Sequence, residues 1–147
     1  MTNSFSNLDN FDDVGIFHAQ FGLDNTTFTA HGIGPRDVPA DLLEFRAKFL
    51  QEELDEFNEG VAESDHAKMF DALIDLVYVA LGTAHLQGYP WQEGWDLVQA
   101  ANMAKVRAAK DGSDSKRGSQ WDIVKPPGWT PPDIEGLLES HGWPKVD

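Results

Sequence analysis

Apolar residues along this chain recur at helical spacing, with almost no run of strict alternation. From Leu43 they fall at Ala47, Leu50, Leu54, Phe57 and Val61, in steps of four and three, which predicts a helix with a continuous seam for bundle packing. Pro39 suits the first turn of that helix. A second long helix is predicted to open near Ser64 or Asp65 and to end at Gly88, where glycine can take the left-handed cap. Between Met69 and Ala84 it is apolar in nearly every direction, the pattern of a helix buried on all sides. Pro90 opens another, carrying Trp91, Trp95, Val98 and Met103 toward about Val106. A helix is also expected from about Asp9 to Phe21, ahead of a loop from Gly22 to Val38, and a short one over Pro131 to His141. Residues 109–129, rich in Gly, Ser, Lys and Pro, read as a loop. The expected fold is all-α: a single domain over residues 1–147, an antiparallel bundle of about four main helices. The abundance of apolar helix surface implies completion by a homodimer or homotetramer.

Two aspartates interrupt the apolar run DALIDLVYVALGTA. Asp71 and Asp75 share one helical face, which Tyr78 and Gly82 continue. A carboxylate buried without a partner costs several kcal/mol, so each needs a cation, a strong donor or a proton. Ordinary structural hydrogen bonds would serve for one such residue. The preceding helix, however, carries Glu52, Glu53 and Glu56 in FLQEELDEFNEG, with Glu53 and Glu56 bordering the seam. A short connection, Glu59 to Asp65, would pack the two helices antiparallel and bring the acidic faces together. With no basic residue on either stripe, such a group favours hard divalent cations with oxygen ligands, Mg²⁺ or Mn²⁺.

Charge and composition narrow the chemistry further. The chain has 147 residues, 25 acidic against 11 basic, a formal charge of −14, and 41% hydrophobic residues. That balance repels nucleic-acid phosphates and anionic membrane surfaces, so neither is an expected partner. The absence of cysteine excludes disulfides, thiolate zinc sites and cysteine nucleophiles. The start MTNSFSNLDN has no signal-peptide character, and the longest apolar run reads as falling short of a membrane span, so a cytoplasmic location is expected. Six of the 11 basic residues, Lys105, Arg107, Lys110, Lys116, Arg117 and Lys125, crowd into positions 105–125. A basic loop of this kind could close over a polyphosphate; the alternative is a solubilising linker.

Taken in order, EELDE, DALIDLVYVALG, AANMAKV and KPPGWTPPDI resemble the all-α nucleoside triphosphate pyrophosphohydrolases, the MazG-like and dimeric dUTPase-like superfamily, from about Phe17 to Ile134. The superfamily's Glu-Glu-x-x-Glu motif is met by Glu52, Glu53 and Glu56. Its Glu-x-x-Asp motif is met only at Asp75, since Ala72 stands three residues before it and Asp71 four. The resemblance implies cleavage of a nucleoside triphosphate, with dUTP or dGTP leading, to the monophosphate and pyrophosphate. It implies Mg²⁺ (or Mn²⁺), more than one ion per site, on Glu53, Glu56, Asp71 and Asp75, with Glu52 completing the cluster or activating water. Lys105, Arg107, Lys116, Arg117 and Lys125 would bind phosphate, with Lys105 stabilising the leaving group. Asn102 would lie near the nucleoside, and Phe17, His18, Gln20 and Phe21 would wall the base pocket.

Three other readings compete. Phosphoribosyl-ATP pyrophosphohydrolases share the bundle and the metal chemistry. Di-iron bundles need two Glu-x-x-His pairs, and only Glu63 with His66 offers that spacing. A non-enzymatic acidic bundle that binds a protein would account for the net charge, but not for aspartates within the apolar stretch beside a separate basic segment.

Overall fold

Asp9 begins the first helix with a reciprocal cap: its side chain accepts from the Asp12 amide, and the Asp12 side chain accepts from the Asp9 amide. In the computed structural model, residues 8–31 and 38–145 are described; the start of the chain and residues 32–37 of the expected Gly22–Val38 loop lie outside them. The helices are α1 (Asn10–Gln20), α2 (Asn25–Ala30), α3 (Ala40–Glu63), α4 (His66–Gln87), α5 (Trp91–Met103) and α6 (Ile134–Ser140), with strands β1 (Val106–Arg107) and β2 (Ile123–Val124) between α5 and α6. Two compact units divide the chain, Met1–Tyr89 and Pro90–Asp147.

The described residues are mainly helical, as the periodicity predicts, with three local differences. The short helix α2 occupies part of the expected Gly22–Val38 loop, because Asp24 accepts from the Thr27 amide and caps it. The helix from Pro90 ends at Met103 instead of Val106, since Val106 and Arg107 pair antiparallel with Val124 and Ile123. The expected 109–129 loop therefore contains a strand.

In the first unit α3 and α4 form a hairpin joined by Ser64 and Asp65 alone. Ser64 takes a left-handed conformation (φ 53°) and Asp65 caps α4 through the Lys68 amide, 3.0 Å. Gly88 ends α4 at φ 65°, where the sequence placed its cap.

Two corrections concern α4. By length and hydropathy it is long enough and apolar enough to cross a membrane, so the expectation that the run falls short does not hold. Nor is it buried on all sides: Ala72, Val79, Leu81, Ala84 and Leu86 are buried, whereas Phe70, Leu73, Ile74 and Val77 remain exposed, Phe70 by 67%. α1, α2 and α3 pack on α4 and leave that part of an all-round apolar helix uncovered.

Candidate active site

The buried line of α3 is Arg46, Glu53 and Gly60, seven residues apart, and the corresponding line of α4 includes Ala72, Val79 and Leu86, also seven apart. This is a coiled-coil repeat, but its α3 side is not the expected Leu43–Val61 seam, whose Leu54 and Val61 are exposed. The two glycines act differently. A Cβ added at Gly60 would lie 2.9 Å from the Met69 amide nitrogen, so the backbones are close there, whereas Gly82 leaves room for the Arg46 guanidinium, whose Nη2 would lie 2.6 Å from an added Cβ. The buried line of α3 is thus polar, and the apolar seam flanks it.

Glu53 is the consequence. It keeps 8% of its surface exposed, and its Oε2 is buried without a hydrogen-bond partner among the described residues. Its carboxyl holds its proton above the usual carboxylate range, first through loss of water and then through repulsion from Glu56, Asp75, Glu52 and Asp71. The other four predicted carboxylates of α3 and α4 thus all act on Glu53. The cover over Glu53 is thin: Asp75 is half-buried, and Glu52, Glu56 and Asp71 are exposed. Ala72, three residues before Asp75, is fully buried, so Asp71 is the second acidic residue of that face. Lys68 binds Glu59 and Glu63, at 3.5 and 3.1 Å, and among the described residues no salt bridge reaches the five.

These carboxylates do not stand in ligating geometry. Among the described residues no three acidic or histidine side chains are gathered as a metal ion would hold them. The donor set nevertheless fits a hard divalent cation: the oxygens are all carboxylate, one of them is buried without a partner, and no cation competes for them.

Beside this stripe, Phe17 of α1 packs edge-on against Phe21 and against Tyr78, with ring centroids 4.9 and 5.4 Å apart. Phe17 and Phe21 are about half exposed, and Gln20 is exposed. His18, expected in the same wall, is instead turned inward at 3% exposure, its Nδ1 2.6 Å from the Leu23 carbonyl. Burial lowers its pKa, so it is the neutral ring donating that bond. Sequence reading placed Tyr78 on the acidic face, one turn beyond Asp75, without giving it a role, and it missed Arg46. Arg46 is buried one heptad before Glu53, donating through Nη2 to the Val79 carbonyl (2.7 Å) and through Nε to Thr83 Oγ1 (3.0 Å). The seven-residue spacing Arg46–Glu53–Gly60 was the signal available.

The second unit holds the remaining predicted residues. Asn102 is exposed in the last turn of α5. Lys105 and Lys125 both lie over the Trp129 ring, at 5.3 and 4.7 Å from its centroid, while Trp129 donates from Nε1 to the Ala101 carbonyl at 2.7 Å. Arg107 lies 5.6 Å from the Trp121 centroid. Arg117 is engaged within its own loop, its Nη1 2.9 Å from Asp122 Oδ1, and Ser115 Oγ donates to the same carboxylate at 2.7 Å. Lys110 and Lys116 are exposed. The structure thus brings Lys105 and Lys125 together and ties Arg117 elsewhere.

A search of curated proteins returns no match. A protein-family comparison does: residues 26–102 match the family described as phosphoribosyl-ATP pyrophosphohydrolase. The matched span is just over half of the chain and contains α3, α4, α5 up to Asn102 and all five carboxylates. The chain belongs to that family, which lies within the MazG-like all-α NTP pyrophosphohydrolase superfamily. It is accordingly a hydrolase of phosphoric anhydrides acting on nucleotide-like substrates.

Proposed function

We propose that this member of the phosphoribosyl-ATP pyrophosphohydrolase family is a Mg²⁺-dependent nucleoside triphosphate pyrophosphohydrolase. It releases a monophosphate and pyrophosphate, for nucleotide-pool sanitation or precursor supply, with dUTP or dGTP as leading substrates. The observation that carries this reading is Glu53, whose buried oxygen has no partner and whose four acidic neighbours repel it.

Glu53, Glu56, Asp71 and Asp75 would hold Mg²⁺, or Mn²⁺, with more than one ion expected per site. Bound there, the metal supplies charge neutralisation for the phosphates and makes an attacking water more acidic. Glu52, exposed next to Glu53 in sequence, would accept a proton from that water. Phe17, Phe21 and Tyr78 offer ring faces for a base, with Gln20 and Asn102 as amide donors and acceptors. Lys105, Arg107, Lys116, Arg117 and Lys125 would counter phosphate charge, with Arg117 first having to leave Asp122. The exposed apolar face of α4, bordering a groove of about 550 Å³ along α1, supports a homo-oligomer; the location proposed is the cytoplasm.

The family match favours one second reading, hydrolysis of phosphoribosyl-ATP itself, which presents the same triphosphate. Turnover of a nucleotide panel that includes phosphoribosyl-ATP, in Mg²⁺ and in EDTA, separates the two. Pyrophosphate released from dUTP or dGTP supports the first reading, and turnover of phosphoribosyl-ATP alone supports the second. Orthophosphate as the first product contradicts both.

A further inference from the structure

Two histidines meet where α1 packs on α4, and each donates a ring N–H to a backbone carbonyl. His85 of α4 donates from Nε2 to the Phe11 carbonyl at 2.7 Å, and its ring stacks on that of Phe11 with centroids 3.8 Å apart. Gly15 admits the ring: a Cβ there would lie 2.6 Å from His85 Cε1. His18 of α1 is 3% exposed and donates from Nδ1 to the Leu23 carbonyl at 2.6 Å. Its second nitrogen, Nε2, lies over Gly82 of α4, where an added Cβ would collide with it and would also meet Arg46 Nη2 at 2.6 Å. A proton arriving at Nε2 thus lands beside a permanent cation. The charged and titratable groups around His18 are Arg46 from α3, His85 from α4 and Asp24, the cap of α2. Asp24 is the one anion of these three, and its carboxylate already accepts from the Thr27 amide at 2.8 Å. Loss of water lowers the His18 pKa most; the Leu23 bond and Asp24 raise it, Arg46 and His85 lower it further, and the balance stays below the ordinary histidine value.

We propose that His18 is an acid-sensitive latch: neutral, it holds α1 on α4, and a proton taken up at Nε2 releases α1 and withdraws Phe17 from Tyr78. α1 is suited to leaving as a unit. It has 11 residues, of which Val14 and His18 are buried, and a helix of that length is marginal in water without packing. Local opening of such a segment needs less free energy than unfolding of the whole chain. The sign follows from linkage: released His18 takes a proton at about pH 6.5, as a free histidine does, and docked His18 only at a lower pH. Docking is therefore complete above about pH 6.5 and weakens as pH falls toward the lowered value; below that value both states are charged and nothing more is lost. The sense is opposite to that of Glu53, whose proton the fold holds more tightly, so the two are separated by observing α1 alone. The effect on a base stacked against Phe17 rests on the hydrolase reading, whereas the latch itself is measured without substrate.

Amide hydrogen exchange of the full chain, followed by mass spectrometry over residues 10–20 and corrected for intrinsic rates, tests it. Between about pH 7.5 and about pH 5.5 the opening of α1 is expected to grow about five- to tenfold in wild type. His18→Asn keeps an amide donor where Nδ1 stands but takes up no proton, and its opening should change by less than about twofold over the same range. His85→Gln keeps a donor where Nε2 stands and should retain the wild-type pH dependence, because His85 holds α1 without switching it. Persistence of the pH dependence in His18→Asn, or its disappearance in His85→Gln, overturns the assignment to His18. Nuclear magnetic resonance of the wild-type imidazole needs no variant: the His18 ring should gain its proton over the pH range in which the α1 amides open. A His18 ring that stays neutral while α1 opens, or an α1 whose exchange is the same at both pH values, also overturns the latch. If α1 opens as expected while no nucleotide is hydrolysed, the hydrolase reading fails and the latch stands; an active enzyme whose α1 ignores pH keeps the hydrolase reading and loses the latch.

Discussion

Glu53→Gln should make the metal-free protein more stable and the metal-loaded protein less responsive. The substitution keeps the shape of a side chain that is 8% exposed and removes its charge among four like neighbours, Glu56, Asp75, Glu52 and Asp71. Like-charge pairs on helices cost about 0.2–0.5 kcal/mol each, and three of the neighbours face water, which screens them. Relief of about 1 kcal/mol is the resulting expectation. In a chain of this length that raises Tm by about 2–4 °C in EDTA.

The pH dependence has a definite sign. Because the folded protein raises the Glu53 pKa, the folded state binds that proton more tightly than the unfolded chain does. This contribution is complete below the ordinary carboxylate pKa of about 4.3 and is lost as pH rises through the raised value. Wild type in EDTA should thus lose stability as pH climbs out of the acid range, and Glu53→Gln should show less of that loss. Adding Mg²⁺ at about 100 times its dissociation constant should restore about 2.7 kcal/mol to wild type and much less to the variant. Melting followed by circular dichroism at several pH values, with EDTA or MgCl₂, measures all three quantities. An unchanged pH slope in the variant together with an unchanged Mg²⁺ shift would refute a cation site built on Glu53.

Three further outcomes are expected. Asp75→Asn should abolish Mg²⁺-dependent pyrophosphate release while leaving the far-ultraviolet spectrum helical; near wild-type turnover would remove Asp75 from the ligand set. Gly82→Ala should cost about 1–3 kcal/mol by overpacking, since its Cβ would collide with the His18 ring and the Arg46 guanidinium; a melting temperature unchanged from wild type would show that these side chains are not held there. Phe70→Glu with Ile74→Glu should convert a dimer or tetramer to monomer by light scattering at micromolar concentration, because both residues lie on the exposed apolar face of α4; a wild-type protein already monomeric would rule out the oligomer.

Apart from the six-residue α2, helix existence and capping were legible from local chemistry. Asp9, Asp65 and Gly88 each act within one turn of their own position, so no tertiary information was needed. The α3–α4 hairpin followed as well, because its short link leaves two apolar helices one simple way to pack. Three features were not legible. The Val106–Val124 pairing depends on a return of the chain over 18 positions, and two-residue strands carry no periodicity to read. The inward turn of His18 depends on the Leu23 carbonyl and on the opening above Gly82. The α3 interface was misplaced because hydrophobic spacing identifies which side of a helix avoids water, and does not say which neighbour will cover it.

That last error shows how this hairpin divides its labour. Stability alone would have turned Leu50, Leu54 and Phe57 toward α4 and left Arg46 and Glu53 in water, where their charges cost nothing. Instead Gly60 lets the backbones approach, Gly82 leaves room for the Arg46 guanidinium, and the buried line of α3 carries a cation, a carboxylate and a glycine in turn. Arg46 is satisfied by the Val79 carbonyl and Thr83, so along this line Glu53 carries the unmet cost, at the point where Asp71 and Asp75 of α4 come within its electrostatic reach. A local conflict of this kind, surrounded by well-capped helices that obey the ordinary rules, is where a functional site is expected. The same rotation leaves Leu54, Val61, Phe70 and Ile74 exposed. Burial of that surface by another copy of the chain would offset what the inward-facing charge costs, linking assembly to the acidic stripe through the setting of the two helices alone.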